Sequence, residues 1–67
     1  MYILKEEVAE EVRNKFKNKY LADTIGISLP YVSYILHRKK NVSKRLAYFF
    51  TKTINSEKEI EDLFDLV

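Results

Sequence analysis

The sequence predicts a single all-helical domain. Its 67 residues leave room for one hydrophobic core, and its only glycine and only proline, Gly26 and Pro30, supply few turns for a sheet protein. Hydrophobic residues make up 46% of the chain and recur at helical spacing. With no cysteine and one histidine, so small a core has neither disulfide nor metal to reinforce it. Association with a second subunit is therefore the remaining source of extra stability.

The first helix is predicted between Leu4 and Phe16. Apolar side chains recur at every fourth position there, namely at Leu4, Val8, Val12 and Phe16, with Glu and Lys filling the gaps. The opening tripeptide, residues 2–4, is rich in β-branched and aromatic side chains. The sequence therefore leaves open a short extended segment before this helix.

Two short helices follow, joined by a tight turn. Asn18 is predicted to cap the second helix, which runs to about Ile25, and Gly26 is suited to the left-handed conformation that ends it. Ser28 is predicted to cap the third helix, over about 29–37, whose first turn tolerates a proline because the missing N–H lies there.

Two further helices are predicted after a polar basic loop. Ser43 caps the fourth, whose inner side carries Leu46, Ala47, Phe50 and Ile54. Ser56 and Glu59 match a capping box that opens the fifth helix. This helix is predicted to present Ile60, Leu63, Phe64 and Val67.

Charge is distributed unevenly along the chain although the net charge is only +2. Both ends are acidic, whereas the segment from Arg13 to Arg45 holds nine basic residues against Asp23 alone, a local charge of 9 − 1 = +8. The basic residues are Arg13, Lys15, Lys17, Lys19, Arg38, Lys39, Lys40, Lys44 and Arg45. A solvated surface accounts for the acidic ends, but a basic block of this size predicts binding to a polyanion such as nucleic acid.

A specific spacing joins the second and third helices. Gly26 follows Ala22 by four residues, and Val32 and Ile35 come six and nine residues after the glycine. Alanine permits close helix approach, glycine permits the turn, and the two branched residues fix the crossing of a helix-turn-helix. Through the segment 18–37, "NKYLADTIGISLPYVSYILH", the sequence resembles the lambda-repressor and Cro-like (XRE-type) regulators, including their small phage-associated members.

The resemblance continues through "RKKNVSKRLAYFFTK" and implies a compact five-helix lambda-repressor-like DNA-binding domain over residues 1–67. It also implies that the helix at 29–37 enters the major groove of DNA. The matching base-contacting positions are Ser28, Leu29, Pro30, Ser33 and Tyr34. Leu29 and Pro30 can only press on thymine methyl groups, which leaves hydrogen bonding to the serines and Tyr34. For Tyr34, packing at the rim of the core is the alternative.

Phosphate contacts are expected on both sides of the recognition helix. Asn18 matches a family position at a helix amino end, where free amides attract anions, and the basic loop after the recognition helix is suited to the opposite strand. The expected phosphate-contacting residues are Asn18, Lys19, Tyr31, His37, Arg38, Lys39, Lys40, Ser43, Lys44 and Arg45. A solvated loop is the alternative for the second cluster.

The expected function is that of a sequence-specific, double-stranded DNA-binding transcriptional regulator, acting as a repressor. The alternative is a protein-interaction module, such as an antitoxin or regulator-binding protein, that uses the apolar C-terminal helix. No enzyme, cofactor or small-molecule ligand is expected, because a core this small leaves little room for a cleft. No metal site or catalytic base is expected either, because His37 has no carboxylate or cysteine partner at ligand spacing. No signal peptide or membrane span is recognisable, so a cytoplasmic protein is expected.

A homodimer, at least on DNA, is also expected. One small helix-turn-helix domain reads a single half-site, and a two-fold pair doubles the reading surface. Five apolar residues are available either to complete the core or to form the two-fold interface: Tyr48, Phe49, Leu63, Phe64 and Val67. Among them, Phe64 and Val67 are the preferred interface anchors and Phe49 is the second candidate.

Overall fold

The computed structural model describes all 67 residues and contains five helices and two short strands. In chain order the elements are β1 (Tyr2–Leu4), α1 (Glu6–Lys15), α2 (Asn18–Ile25), α3 (Leu29–Leu36), α4 (Lys44–Ile54), α5 (Ile60–Leu63) and β2 (Phe64–Leu66). Helices hold 61% of the residues. The predicted mostly helical fold with five helices is confirmed, whereas the prediction that the protein is purely all-α is wrong.

The two strands join the ends of the chain in an antiparallel pair. Leu4 lies opposite Phe64, and both side chains are buried. On its other edge, β1 forms a bridge in which Tyr2 and Val42 exchange two backbone hydrogen bonds of 2.8 Å. β1 therefore lies between β2 and the segment before α4, which is why the first helix begins at Glu6 and not at Leu4.

The turn and two of the caps form as the sequence predicts. Gly26 has a φ of 87° and ends α2 in the left-handed conformation. The Ser28 hydroxyl accepts a hydrogen bond of 3.2 Å from the Tyr31 amide, and the Ser43 hydroxyl accepts one of 3.2 Å from the Leu46 amide. These bonds satisfy one free donor at the amino end of α3 and of α4.

The predicted cap of α2 is wrong. Asn18 is already the first helical residue, and the capping position is held by Lys17, whose side chain makes no capping hydrogen bond. The preceding helix ends at Lys15, so only two residues separate α1 from α2. This short connection places Asn18 one position further into the helix than its capping preference suggests.

The C-terminal segment departs furthest from prediction. The capping box is not formed by Ser56 and Glu59, because Glu59 itself is the capping residue and its amide donates to the Asp62 carboxylate at 2.8 Å. The helix that follows is one turn long and ends when the chain becomes extended at Phe64. Phe64 and Val67 therefore do not lie on a helix.

The core is built from all five helices and both strands. Its apolar members are Leu4, Ala9, Val12, Leu21, Ala22, Val32, Ile35, Leu36, Val42, Ala47, Phe50, Ile60, Leu63 and Phe64. The Phe50 and Phe64 rings meet edge to face with centroids 5.8 Å apart. Phe64 is only 2% exposed, so its predicted role as a dimer anchor is wrong. No helix in this fold has the length and apolar character needed to cross a bilayer.

Candidate nucleic-acid interface

The helix pair α2–α3 is held by a glycine turn. The amides of Gly26 and Ile27 both donate to the Ala22 carbonyl, at 2.8 and 3.1 Å, and close the end of α2. Ala22 is buried, as are Val32 and Ile35 on the inner side of α3, and the two helices pack directly against each other. Three of the four residues whose spacing predicts a helix-turn-helix, Ala22, Val32 and Ile35, thus lie in the same buried core, and Gly26 forms the exposed turn between the helices.

The outer side of α3 is open to solvent. Leu29 is 48% exposed and Tyr34 is 52% exposed, and both belong to the positions expected to contact bases. Ser28 and Pro30 are exposed as well, whereas Ser33 is half-buried. Tyr34 is therefore no part of the core, and four of the five expected base-contacting residues are freely accessible.

A concavity of about 370 Å³ lies beside the amino-terminal half of α3. It is lined by Ser28, Pro30, Tyr31, Tyr34 and Lys40. Lys40 comes from the loop after α3, and its ammonium nitrogen lies 5.9 Å from the centroid of the Tyr31 ring. All five lining residues belong to the set that the sequence predicts to contact DNA.

The amino end of α2 presents amides with no side-chain cap. The Asn18 side chain is half-buried and makes no hydrogen bond within the protein, so its amide group is available to an external partner. Lys19, beside it, forms an exposed ion pair of 3.2 Å with Asp23. Such a pair contributes little to stability, so Lys19 can exchange this carboxylate for a phosphate at small cost.

The loop after α3 is fixed by two arginines that sequence reasoning assigned no structural role. Arg38 adopts a φ of 58°, and its Nε donates to the Leu4 carbonyl at 2.9 Å. The Arg13 guanidinium donates to the Leu36 carbonyl, at the carboxyl end of α3, where positive charge is favourable. No local pattern announces these bonds, because the partners are 34 and 23 residues apart.

The remaining phosphate candidates lie in the same loop and at the start of α4. Lys39 and Lys44 are exposed and have no carboxylate partner, whereas Ser43 uses its hydroxyl as the α4 cap. The Arg45 guanidinium lies 5.7 Å from the Phe49 ring centroid. His37 is exposed, and no three His, Cys, Asp or Glu side chains group to hold a metal ion.

The basic block keeps most of its charge unneutralised. Of its nine basic residues, only Lys15 and Lys19 have a carboxylate within ion-pair distance, which leaves seven without one. Five of these seven belong to the loop after α3 and to the first turn of α4: Arg38, Lys39, Lys40, Lys44 and Arg45. Positive charge is thus concentrated directly beyond the carboxyl end of α3.

Comparison of the chain with protein-family models, with curated proteins and with solved structures gives no match. The candidate site therefore has to be interpreted from its own residues.

Proposed function

We propose that this protein is a sequence-specific, double-stranded DNA-binding transcriptional regulator of the Cro-like type, a repressor that occupies its operator with α3 in the major groove. The concavity beside α3 carries the proposal, because it combines accessible hydroxyl and aromatic groups with a lysine from the basic loop. Hydroxyl and aromatic groups can contact base edges, and a lysine can contact a backbone phosphate.

The dimensions of α3 suit this role. An α-helix with its side chains is about 10–12 Å across, and the major groove of B-DNA is about 12 Å wide. Basic residues precede α2 and follow α3 in the chain, so the reading helix has phosphate-binding groups on either side of it in sequence. The uncapped amino end of α2 adds free amides that attract a phosphate.

The rival function, a protein-interaction module, relied on the apolar side of the C-terminal helix. That side is not available, because Ile60 and Leu63 of α5 are both buried in the core. The basic block would also have no purpose in such a module. The structural observations therefore favour DNA as the partner.

Salt dependence of binding tests the proposal. A duplex selected by the protein from random sequences would be titrated at several salt concentrations. We expect the logarithm of the binding constant to fall against the logarithm of the salt concentration with a slope of roughly −4.5 to −6.3 for five to seven phosphate contacts. Lys39→Ala should reduce the magnitude of the slope by about one unit. Lys58→Ala, which removes an exposed lysine near the acidic C-terminus, should leave it unchanged. A slope near zero for the wild-type protein would refute the proposal.

A further inference from the structure

The amino end of α3, which borders the concavity, offers few backbone amides to a phosphate. The Ser28 hydroxyl already accepts the Tyr31 amide at 3.2 Å, and Pro30 has no N–H to offer. Of the first three amides of α3, only that of Leu29 is therefore free. The one cation of the concavity, Lys40, lies over the Tyr31 ring. Lys40 is left as the group suited to a backbone phosphate, and the rest of the lining is left for a base edge.

An apolar group next to a hydrogen-bond acceptor fits these walls better. The faces available are the proline ring of Pro30 and the aromatic ring of Tyr34, since Lys40 lies over the ring of Tyr31. Because the Ser28 oxygen is occupied as an acceptor, its O–H is free to donate, and the Tyr34 hydroxyl, on a side chain 52% exposed, can donate as well.

Among the four bases, only thymine presents this combination in the major groove. Its C5-methyl group lies beside the O4 acceptor, whereas cytosine presents an amino donor and no methyl group at the corresponding positions. We propose that the concavity is a thymine-reading pocket, in which Pro30 and Tyr34 enclose the methyl group and a hydroxyl of Ser28 or Tyr34 donates to O4. This inference rests on the proposed function and names the base that the site selects.

Uracil replacement tests the pocket because it removes only the methyl group and keeps the base pair. In a duplex selected by the wild-type protein, each thymine would be replaced singly by uracil and the dissociation constant measured. We expect at least one position per half-site to lose about fourfold in affinity, the value for one buried methyl group. In Tyr34→Ala and Pro30→Ala the same replacement should have no effect.

Tyr48→Ala is the matched control. Tyr48 is 48% exposed and lies under Lys52 much as Tyr31 lies under Lys40, but it is on α4 and outside the concavity. This variant should retain the full sensitivity to uracil. Thermal melting of each variant would establish that it is folded.

Two outcomes would overturn the thymine pocket alone. Either the wild-type protein binds its duplex with the expected salt dependence and tolerates uracil everywhere, or the sensitivity persists in both Tyr34→Ala and Pro30→Ala. Failure of the wild-type protein to bind any duplex would instead overturn the proposed function and the pocket together.

Discussion

Gly26 shows how one residue sets the geometry of the connection between α2 and α3. It is in the left-handed region with a φ of 87°, and a Cβ atom built on it would meet nothing within 4 Å. Its importance is therefore a matter of backbone conformation and not of space. Any other residue at this turn is strained by the left-handed backbone conformation, but its Cβ atom meets no steric clash.

We expect the substitutions at Gly26 to rank by their tolerance of positive φ. Gly26→Ala should lower the free energy of unfolding by about 1 kcal/mol, Gly26→Val by more because of its branched Cβ, and Gly26→Asn by less. For a domain of this size, 1 kcal/mol corresponds to a fall of about 4–8 °C in Tm, which circular dichroism resolves. Equal melting temperatures for the Asn and Val variants would contradict the strain model.

Arg38 and Lys39 are adjacent basic residues with different expected roles. Arg38 fixes the loop through its hydrogen bond of 2.9 Å to the Leu4 carbonyl, whereas the Lys39 side chain makes no bond within the protein. Arg38→Ala should therefore lower the free energy of unfolding by about 1 kcal/mol. Lys39→Ala should weaken DNA binding and leave Tm unchanged. If Arg38→Ala has the same melting temperature as the wild-type protein, the loop does not depend on this bond.

At the scale of elements, β2 acts as a closing strand for the core. Phe64 begins this strand and packs on Phe50 of α4, with ring planes at 85° to each other. The strand also fixes the first residues of the chain, since the Lys5 amide donates to the Leu63 carbonyl at 2.9 Å. The segment around Phe64 thus holds both the start of the chain and α4.

Phe64→Ala should consequently destabilise the protein severely. Truncating a buried phenylalanine costs roughly 3–5 kcal/mol, and the whole stability of a chain of this length is about 3–10 kcal/mol. Urea unfolding should show loss of most helical signal at low denaturant. Leu66→Ala, at a position 73% exposed on the same strand, is the control and should unfold like the wild-type protein. Similar midpoints for both variants would show that β2 does not close the core.

Elements governed by local chemistry were predictable from the sequence. The serine caps of α3 and α4 and the glycine turn depend on residues within four positions, and all three form as expected. The extended segment that the sequence left open at residues 2–4 is confirmed as β1, but β2 and the pairing of the strands were not predicted, because each strand has three residues and the partners lie about sixty positions apart in the chain. The spacing of Ile60, Leu63 and Phe64 also fits a longer helix, and only pairing with β1 decides between the two conformations.

The candidate site also combines features that the sequence predicts with features that it does not. The solvent exposure of the outer side of α3 follows from helical periodicity, so the accessible residues Leu29, Pro30 and Tyr34 were within reach of sequence reasoning. The structural role of Arg38 was not, because its partner carbonyl is 34 residues away. The concavity likewise depends on Lys40 folding back over Tyr31, which no spacing rule anticipates.

At the scale of the molecule, one subunit is too small to read two half-sites. Its extents are 25 × 25 × 21 Å, whereas successive major grooves on one face of DNA are about 34 Å apart. A palindromic operator therefore requires two copies of the chain. We propose that these copies form a two-fold dimer on DNA.

The outer edge of β2 is the better surface for this dimer. Val67 donates to the Met1 carbonyl at 2.9 Å, so in the antiparallel register the backbone groups of Leu66 turn away from β1. Leu66 and Val67 are also 73% and 61% exposed. A two-fold contact centred on Phe49 would instead bring together the Arg45 side chains that lie over this ring in each copy.

Leu66→Pro should therefore abolish the dimer and leave the monomer folded. Proline removes the one outward N–H that a second strand would bind, and it does not affect the inward bonds to β1. Sedimentation of the protein alone and on its duplex should show a wild-type pair on an inverted repeat with half-site centres about 10 base pairs apart, and a monomer for Leu66→Pro. Phe49→Ala, which alters the rival surface, should remain paired.

Dissociation of Phe49→Ala but not of Leu66→Pro would move the interface to α4. A wild-type monomer that binds a single non-palindromic site with full affinity would refute the dimer and leave the helix-turn-helix proposal standing.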